Sequence, residues 1–199
     1  NKKRDFLKGK SIVTVFSEAS TRTRSSFELA GKYLGADVIN ITKSGSSMTK
    51  GESMRDTLLT VSAMGVDAVI IRDSSEGAAL FASKVMSPKV KVPVVINAGD
   101  GAHAHPTQAL LELFTLKEAG KNIKGMKYVI IGDILHSRVA RSDIYWFTKL
   151  GAEVHLVGPR TLVPKELESM GVIVDDNLED ALRDADAINI LRIQLERAA

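Results

Sequence analysis

Cysteine is absent from the 199 residues, which excludes disulfides and thiolate metal sites and agrees with a reducing compartment. No apolar run approaches the roughly 20 residues that would cross a bilayer as a helix. A block of lysine and arginine is missing too. The 27 basic and 24 acidic residues leave a net charge of +3, spread along the chain, so neither nucleic acid nor an anionic membrane surface is an expected partner. Internal repeats and low-complexity tracts are also lacking. Hydrophobic residues make up 44% and charged residues 26%, close to the average for soluble domains. A soluble, cytoplasmic globule with a real core is the expectation, as one large domain or two small ones. The chain opens on Asn1 and stops at Ala199, directly after a run of functional-looking residues, so both ends are expected to be trimmed.

Short apolar runs alternate with longer amphipathic stretches, which predicts parallel sheets wrapped by helices, an α/β architecture. Strands are expected at residues 11–16, 37–41, 68–72 and 92–97. Helical spacing follows Ser20, with Phe27, Ala30 and Leu34 on one stripe, and recurs at Thr57, Val61 and Met64. Residues 107–120 read as one helix closed by Gly120. A second α/β pattern then starts, with strands at 127–132, 153–157 and 187–191 and helices at 142–150 and 178–185. Two domains are expected, 1–122 and 123–199. Three strands make the second sheet thin, so this domain is expected to continue beyond the C-terminus.

After the first strand comes Ser17-Glu18-Ala19-Ser20-Thr21-Arg22-Thr23-Arg24. A strand that ends in small hydroxyl residues and opens a helix presents free backbone N–H groups at the positive end of the helix dipole. Ser20, Thr21 and Thr23 add hydroxyl donors, and Arg22 adds a fork matched to phosphate. A phosphate cradle and an ordinary N-cap box are about equally good readings of this spacing. His105 precedes Pro106 and so cannot sit comfortably inside a helix, which puts it on a loop at a helix N-terminus. His103 two residues earlier raises a metal pair, but without cysteine or nearby acidic partners no metal or other cofactor is expected. His136 and His155 have no partner that the sequence names.

Ser20-Thr21-Arg22-Thr23-Arg24 with Ser26-Phe27-Glu28 resembles the carbamoyl phosphate signature of the aspartate and ornithine carbamoyltransferases. Further similar segments follow in the family's order: Lys50-Gly51-Glu52-Ser53, Arg72 closing a central strand, Asn97-Ala98-Gly99-Asp100-Gly101, and His105-Pro106-Thr107-Gln108. Gly132-Asp133 with His136-Ser137-Arg138, and Leu191-Arg192-Ile193-Gln194-Leu195-Glu196-Arg197, are similar to the family's aspartate-binding segments. The resemblance runs over nearly the whole chain.

It implies an enzyme of pyrimidine biosynthesis that moves the carbamoyl group of carbamoyl phosphate to the amino group of L-aspartate. The chemistry suits the residues: a phosphate dianion and two carboxylates need positive charge in a site that excludes water. By resemblance Ser20, Thr21, Arg22, Thr23, Ser46, Arg72, His105 and Gln108 bind carbamoyl phosphate. Lys50, Arg138, Arg192 and Gln194 take the aspartate. Thr23, Arg72, His105 and Lys50 carry catalysis, the first three as donors to the carbonyl oxygen, and Gln108 accepts from the carbamoyl amide. No carboxylate is an obvious base, so the departing phosphate or solvent is expected to take the amine proton. The resemblance also implies a homotrimer whose Ser/Gly-rich loop at 42–49, followed by Lys50, reaches into the neighbouring subunit's site. A regulatory subunit or another pyrimidine enzyme is a further partner it allows. Glu18 is implied as a closed-form partner of Arg138 or Arg197. Without the resemblance, the 42–49 segment reads as a flexible surface loop, and a lone arginine at a strand end as a solvated charge.

Ala19 stands where many relatives carry proline, and the chain is shorter than its relatives. The rival enzyme reading is an ornithine carbamoyltransferase, which usually has cysteine where this chain has Thr107. A catalytically silent scaffold paralogue is the rival of another class, and the intact polar groups argue against it. A dinucleotide-binding module is weaker, because Ile131-Gly132-Asp133 lacks the G-x-G-x-x-G fingerprint.

Overall fold

A computed structural model describes residues 2–42, 51–86 and 92–193. The chain divides into two compact units, Asn1–Gly101 and Ala102–Ala199.

The first unit is a four-stranded parallel sheet in the order β2-β1-β3-β4, built from β1 (Ser11–Phe16), β2 (Asp37–Thr42), β3 (Ala68–Asp73) and β4 (Val94–Asp100). Central strands β1 and β3 are covered on both faces, and accordingly read as near-continuous apolar runs. Val13, Val15, Val69 and Ile71 pack on one side with Leu58 and Val61, while Ile12, Phe16 and Ile70 pack on the other with Ala36 and Ala98. Helices α1 (Thr21–Tyr33), α2 (Met54–Ala63) and α3 (Ala78–Val85) join the strands. Two predicted stripes shift by one position or more. Gly31 is buried where Ala30 was expected, and Leu58 is buried while Met64 is exposed.

The second unit contains α4 (Pro106–Glu118), β5 (Lys127–Ile131), α5 (Arg138–Lys149), β6 (Glu153–Val157), a 3-10 turn at Lys165–Met170, β7 (Ile173–Asp175), α6 (Leu178–Leu182) and β8 (Ala187–Ile190). Its sheet is also parallel, in the order β7-β6-β5-β8. The three strands read from the sequence are joined by a fourth, β7, which at three residues is too short to show a period. Helix α5 starts four residues before the predicted 142, because buried Ser137 caps it by accepting from Ala140 N at 3.1 Å. Helix α6 stops before the predicted 185, where Asp184 takes a left-handed φ of 58°.

Helix α4 lies in the second compact unit, which begins at Ala102. Leu113 and Leu116 explain this: they pack with Met126, Tyr128, Ile144 and Phe147 of that unit's core.

Candidate active site

In an open parallel sheet, ligands bind beyond the carboxyl ends of the strands where the connections reverse direction. Each unit has such a point, between β1 and β3 in the first and between β5 and β8 in the second.

At the first point Phe16 and Arg72 are register partners at the ends of their strands. The loop from Ser17 to Ser20 then leads into α1. Ser20 occupies the N-cap with extended backbone and makes no side-chain capping bond, and the first turn of α1 carries no acidic residue. The plain capping-box reading therefore lacks its bond. The first-turn amides sit at the positive end of a 13-residue helix. A cavity of about 400 Å³ opens there, lined among others by Ser17, Glu18, Ser20, Thr21 and Arg24. Arg24, absent from the residues assigned a role above, belongs to this lining; its signal was its place in the same Ser-Thr-Arg-Thr-Arg run. Arg22 is exposed.

Arg72 is buried, 9% exposed, and its guanidinium is wired on both forks. Nη2 donates to Glu18 Oε1 at 2.9 Å, while Nη1 donates to Thr23 Oγ1 at 3.4 Å and to Ala98 O at 3.3 Å. Arg72 and Thr23 are thus brought together. Glu18, implied as a partner of Arg138 or Arg197, here accepts from Arg72 in its own unit. A Ser17 hydroxyl bond to Asp73 and an Asp73 bond to Ser75 N at 2.7 Å fix the two strand ends against each other. The Asn97–Gly101 motif is scaffold: Asp100 accepts from Asn97 Nδ2 and Gly77 N, each at 2.8 Å. Gly101 has φ +51°, and a Cβ there would meet the Glu76 Cγ at 2.6 Å and the Glu76 backbone N at 2.9 Å.

In the second unit His105 is the N-cap of α4, with Pro106 at the first helical position. It is buried, and its backbone N–H donates to Ser142 Oγ at 2.8 Å, which in turn donates to Arg138 O at 3.1 Å. Ser142 is a positioning group that the sequence did not disclose, since nothing local marks a serine one turn into a helix. Gln108 is half-buried on the first turn of α4, and its Nε2 donates to Glu112 Oε1 at 2.9 Å.

The second switch point is held closed by Gly132. Its φ is +119°, and a Cβ would lie 2.6 Å from Leu191 O. That close approach brings the end of β8 beside the end of β5, so exposed Arg192 and buried Arg138 both follow strands at the same end of one sheet. His136 finds a partner in buried Asp133 at 2.9 Å. His155 lies between Asp175 at 2.7 Å and Glu153 at 2.8 Å. Among the described residues no group of three or more His, Cys, Asp or Glu could hold a metal, and no helix is long and apolar enough to cross a membrane. Ser46, Lys50 and Gln194, together with Arg197, lie outside the described residues.

Residues 1–118 match the family model of the aspartate/ornithine carbamoyltransferase carbamoyl-P binding domain. The chain belongs to this family. The aspartate carbamoyltransferase catalytic subunit of Desulforamulus reducens is 59% identical over 196 residues, covering 98% of this chain. The chain spans 61% of that relative's length. Among solved structures, Trypanosoma cruzi aspartate transcarbamoylase in complex with aspartate and phosphate superposes with a TM-score of 0.85 at 30% identity, over 99% of this chain and 66% of that one. Ornithine carbamoyltransferase of Pyrococcus furiosus superposes with a TM-score of 0.82 at 29% identity, over 99% of this chain and 64% of that one. The fold is therefore common to both branches, while the 59% relative lies in the aspartate branch.

Proposed function

We propose that this chain carries the carbamoyl phosphate site and part of the acceptor site of an aspartate carbamoyltransferase catalytic subunit. The observation that carries the reading is the buried Arg72 guanidinium beside Thr23, at a strand-end switch point that also presents the free N-terminus of α1. In this reading Ser20, Thr21, Arg22 and the first-turn amides of α1 hold the phosphate. Thr23, Arg72 and His105 donate to the carbonyl oxygen, which gains charge as the tetrahedral centre forms. Glu18 must then share or yield Arg72 to the incoming carbonyl. The carbamoyl amide donates to Gln108 Oε1. The aspartate amine forms the new C–N bond, the C–O bond to phosphate breaks, and the amine proton leaves to the departing phosphate or to solvent. The product is N-carbamoyl-L-aspartate, in the chemistry of pyrimidine synthesis. Arg138, Arg192, Lys50 and Gln194 pair with the aspartate carboxylates, and Ser46 joins the phosphate site.

A residue range of 1–122 for the carbamoyl phosphate domain rests on the same reading, since α4 carries His105 and Gln108. The 59% identity to an aspartate enzyme and the Thr107 position favour aspartate over ornithine as acceptor. Phosphate release by the full-length chain, assayed with aspartate, ornithine or no acceptor, tests this: turnover with aspartate alone is expected, and turnover with ornithine alone would reverse the assignment. Assembly as a homotrimer in the cytoplasm belongs to the same reading. Native mass spectrometry of the full-length chain reads the assembly directly, and a monomer at working concentration would contradict it.

A further inference from the structure

The proposed function uses Gln108 but leaves unexplained the polar cluster to which its amide is tied. Glu112 lies one turn along α4, four residues on from Gln108, so the two share a helix face. Its Oε1 accepts from Gln108 Nε2 at 2.9 Å. Its Oε2 accepts from Tyr128 Oη at 2.9 Å and from Asn189 Nδ2 at 3.1 Å. Asn189 Nδ2 also donates to Asp143 Oδ2 at 3.1 Å. Three elements of one unit, α4, β5 and β8, thus converge on a single carboxylate, and α5 joins them through Asn189.

We propose that Glu112 is the positioning residue that aims the Gln108 amide, and that Tyr128, Asn189 and Asp143 hold Glu112 in that role. The inference deepens the preceding reading and rests on it. An ionised carboxylate can only accept, so it draws the NH2 end of the Gln108 amide to itself and turns the carbonyl end outward. That orientation is the one needed to accept from a carbamoyl NH2, and the reverse would set two NH2 groups against each other. Without Glu112 the amide has no reason to prefer one face.

The supports are rigid. The Tyr128 ring stacks on Phe147 with centroids 3.8 Å apart and planes 2° from parallel, and both residues are buried. Burial first, and then repulsion by the Asp143 and Glu112 carboxylates once they are charged, push the Tyr128 hydroxyl above its usual range, so it stays a donor. Asp143 is fully buried, and its Oδ1 has no hydrogen-bond partner. Burial first, and the negative charge of Glu112 second, push its carboxyl up to about 9. A neutral Asp143 avoids setting a buried negative charge against the Glu112 carboxylate.

The test uses the full-length chain and three variants assayed for carbamoyl transfer: Gln108→Ala, Glu112→Gln and the double variant. Glu112→Gln keeps the shape but can donate as well as accept, so the Gln108 amide loses its orientation. Its kcat is expected to fall about tenfold to a hundredfold, with the KM for aspartate and the melting temperature nearly unchanged. The double variant should be no slower than Gln108→Ala alone, because Glu112 acts only through Gln108. Tyr128→Phe, which keeps the stacked ring and removes one donor, should give a smaller loss that also vanishes in the Gln108→Ala background. Additive losses, or wild-type turnover in Glu112→Gln while Gln108→Ala is impaired, would overturn this proposal and leave the role of Gln108 standing. Wild-type turnover in Gln108→Ala would overturn both.

Discussion

In the first unit the groups at the switch point are partly open to solvent: exposed Arg22, hydroxyls on a helix first turn, and a half-buried Glu18 beside the buried Arg72 guanidinium. In the second unit the polar groups behind the switch point are locked: Asp143 and Asp133 are fully buried, and Ser137, Arg138, Ser142 and His105 are nearly so. The sheets share parallel four-stranded construction, so the difference lies in what the strand ends carry. In the proposed reading the first unit offers a helix terminus and a cation to an anion that arrives with its own charge. The second spends buried polar groups on fixing side chains before any ligand comes.

The largest effect that sharpens this comparison is expected at Arg72. In the proposed reading, Arg72→Ala removes a donor whose contribution grows as charge builds on the carbonyl oxygen, and such losses cost about 2.7–4 kcal/mol of transition-state stabilisation, or roughly a hundredfold to a thousandfold in kcat. His105→Ala should follow in the same direction. Steady-state kinetics check both, and wild-type turnover in either would remove that residue from the carbonyl.

The next effect concerns folding. Gly132→Ala places a Cβ 2.6 Å from the Leu191 backbone oxygen at φ +119°, where strain of about 1–3 kcal/mol is expected. Gly101→Ala should cost less, because its φ of +51° lies in the left-handed region that other residues enter at about 1–2 kcal/mol, while its backbone neighbours, Glu76 N at 2.9 Å and Ser74 O at 3.0 Å, stand farther off than Leu191 O does from Gly132. Thermal melts of the two variants decide the order. Equal losses would mean that the second unit's strand ends are no more tightly set than the first unit's.

The last effect is a slope. Asp143 has a folded-state value of about 9, against 3.8 for an ordinary aspartate. Between these values the folded protein binds more protons than the unfolded chain, so stability from this group is greatest at acid pH and is lost as pH rises toward 9. Glu112, Tyr128 and Asn189 are the groups facing it. Asp143→Asn should flatten the decline in melting temperature between pH 6 and 9, as roughly followed by calorimetry. An unchanged slope would place the proton elsewhere.

The strands were legible in the sequence because buried parallel strands leave near-continuous apolar runs; β1 falls at its predicted residues, and β3 extends one residue beyond. Strand β7 was not, since Ile173–Asp175 is too short for any period. The start of α5 lies earlier than the sequence predicts because Ser137, within the binding motif, is also the cap. At the site, Arg72 and Arg138 were legible only through the family pattern, as a single arginine carries no sign of its own burial. Ser142 was not legible, and Glu112 showed only its i, i+4 spacing from Gln108. Their partners Tyr128, Asn189 and His105 lie far along the chain or reach them through backbone atoms, and only folding brings these together.

The central claim is that the first unit takes the phosphate and the second takes the dicarboxylate. Isothermal calorimetry on the full-length chain tests it, with carbamoyl phosphate titrated first and succinate titrated into the saturated protein. Arg192→Ala and Arg138→Ala are expected to bind carbamoyl phosphate as the wild type does and to lose about tenfold to a hundredfold in succinate affinity, the usual cost of a charged hydrogen bond. Arg22→Ala is expected to lose carbamoyl phosphate. An Arg192→Ala variant that fails to bind carbamoyl phosphate yet holds succinate normally would contradict the account.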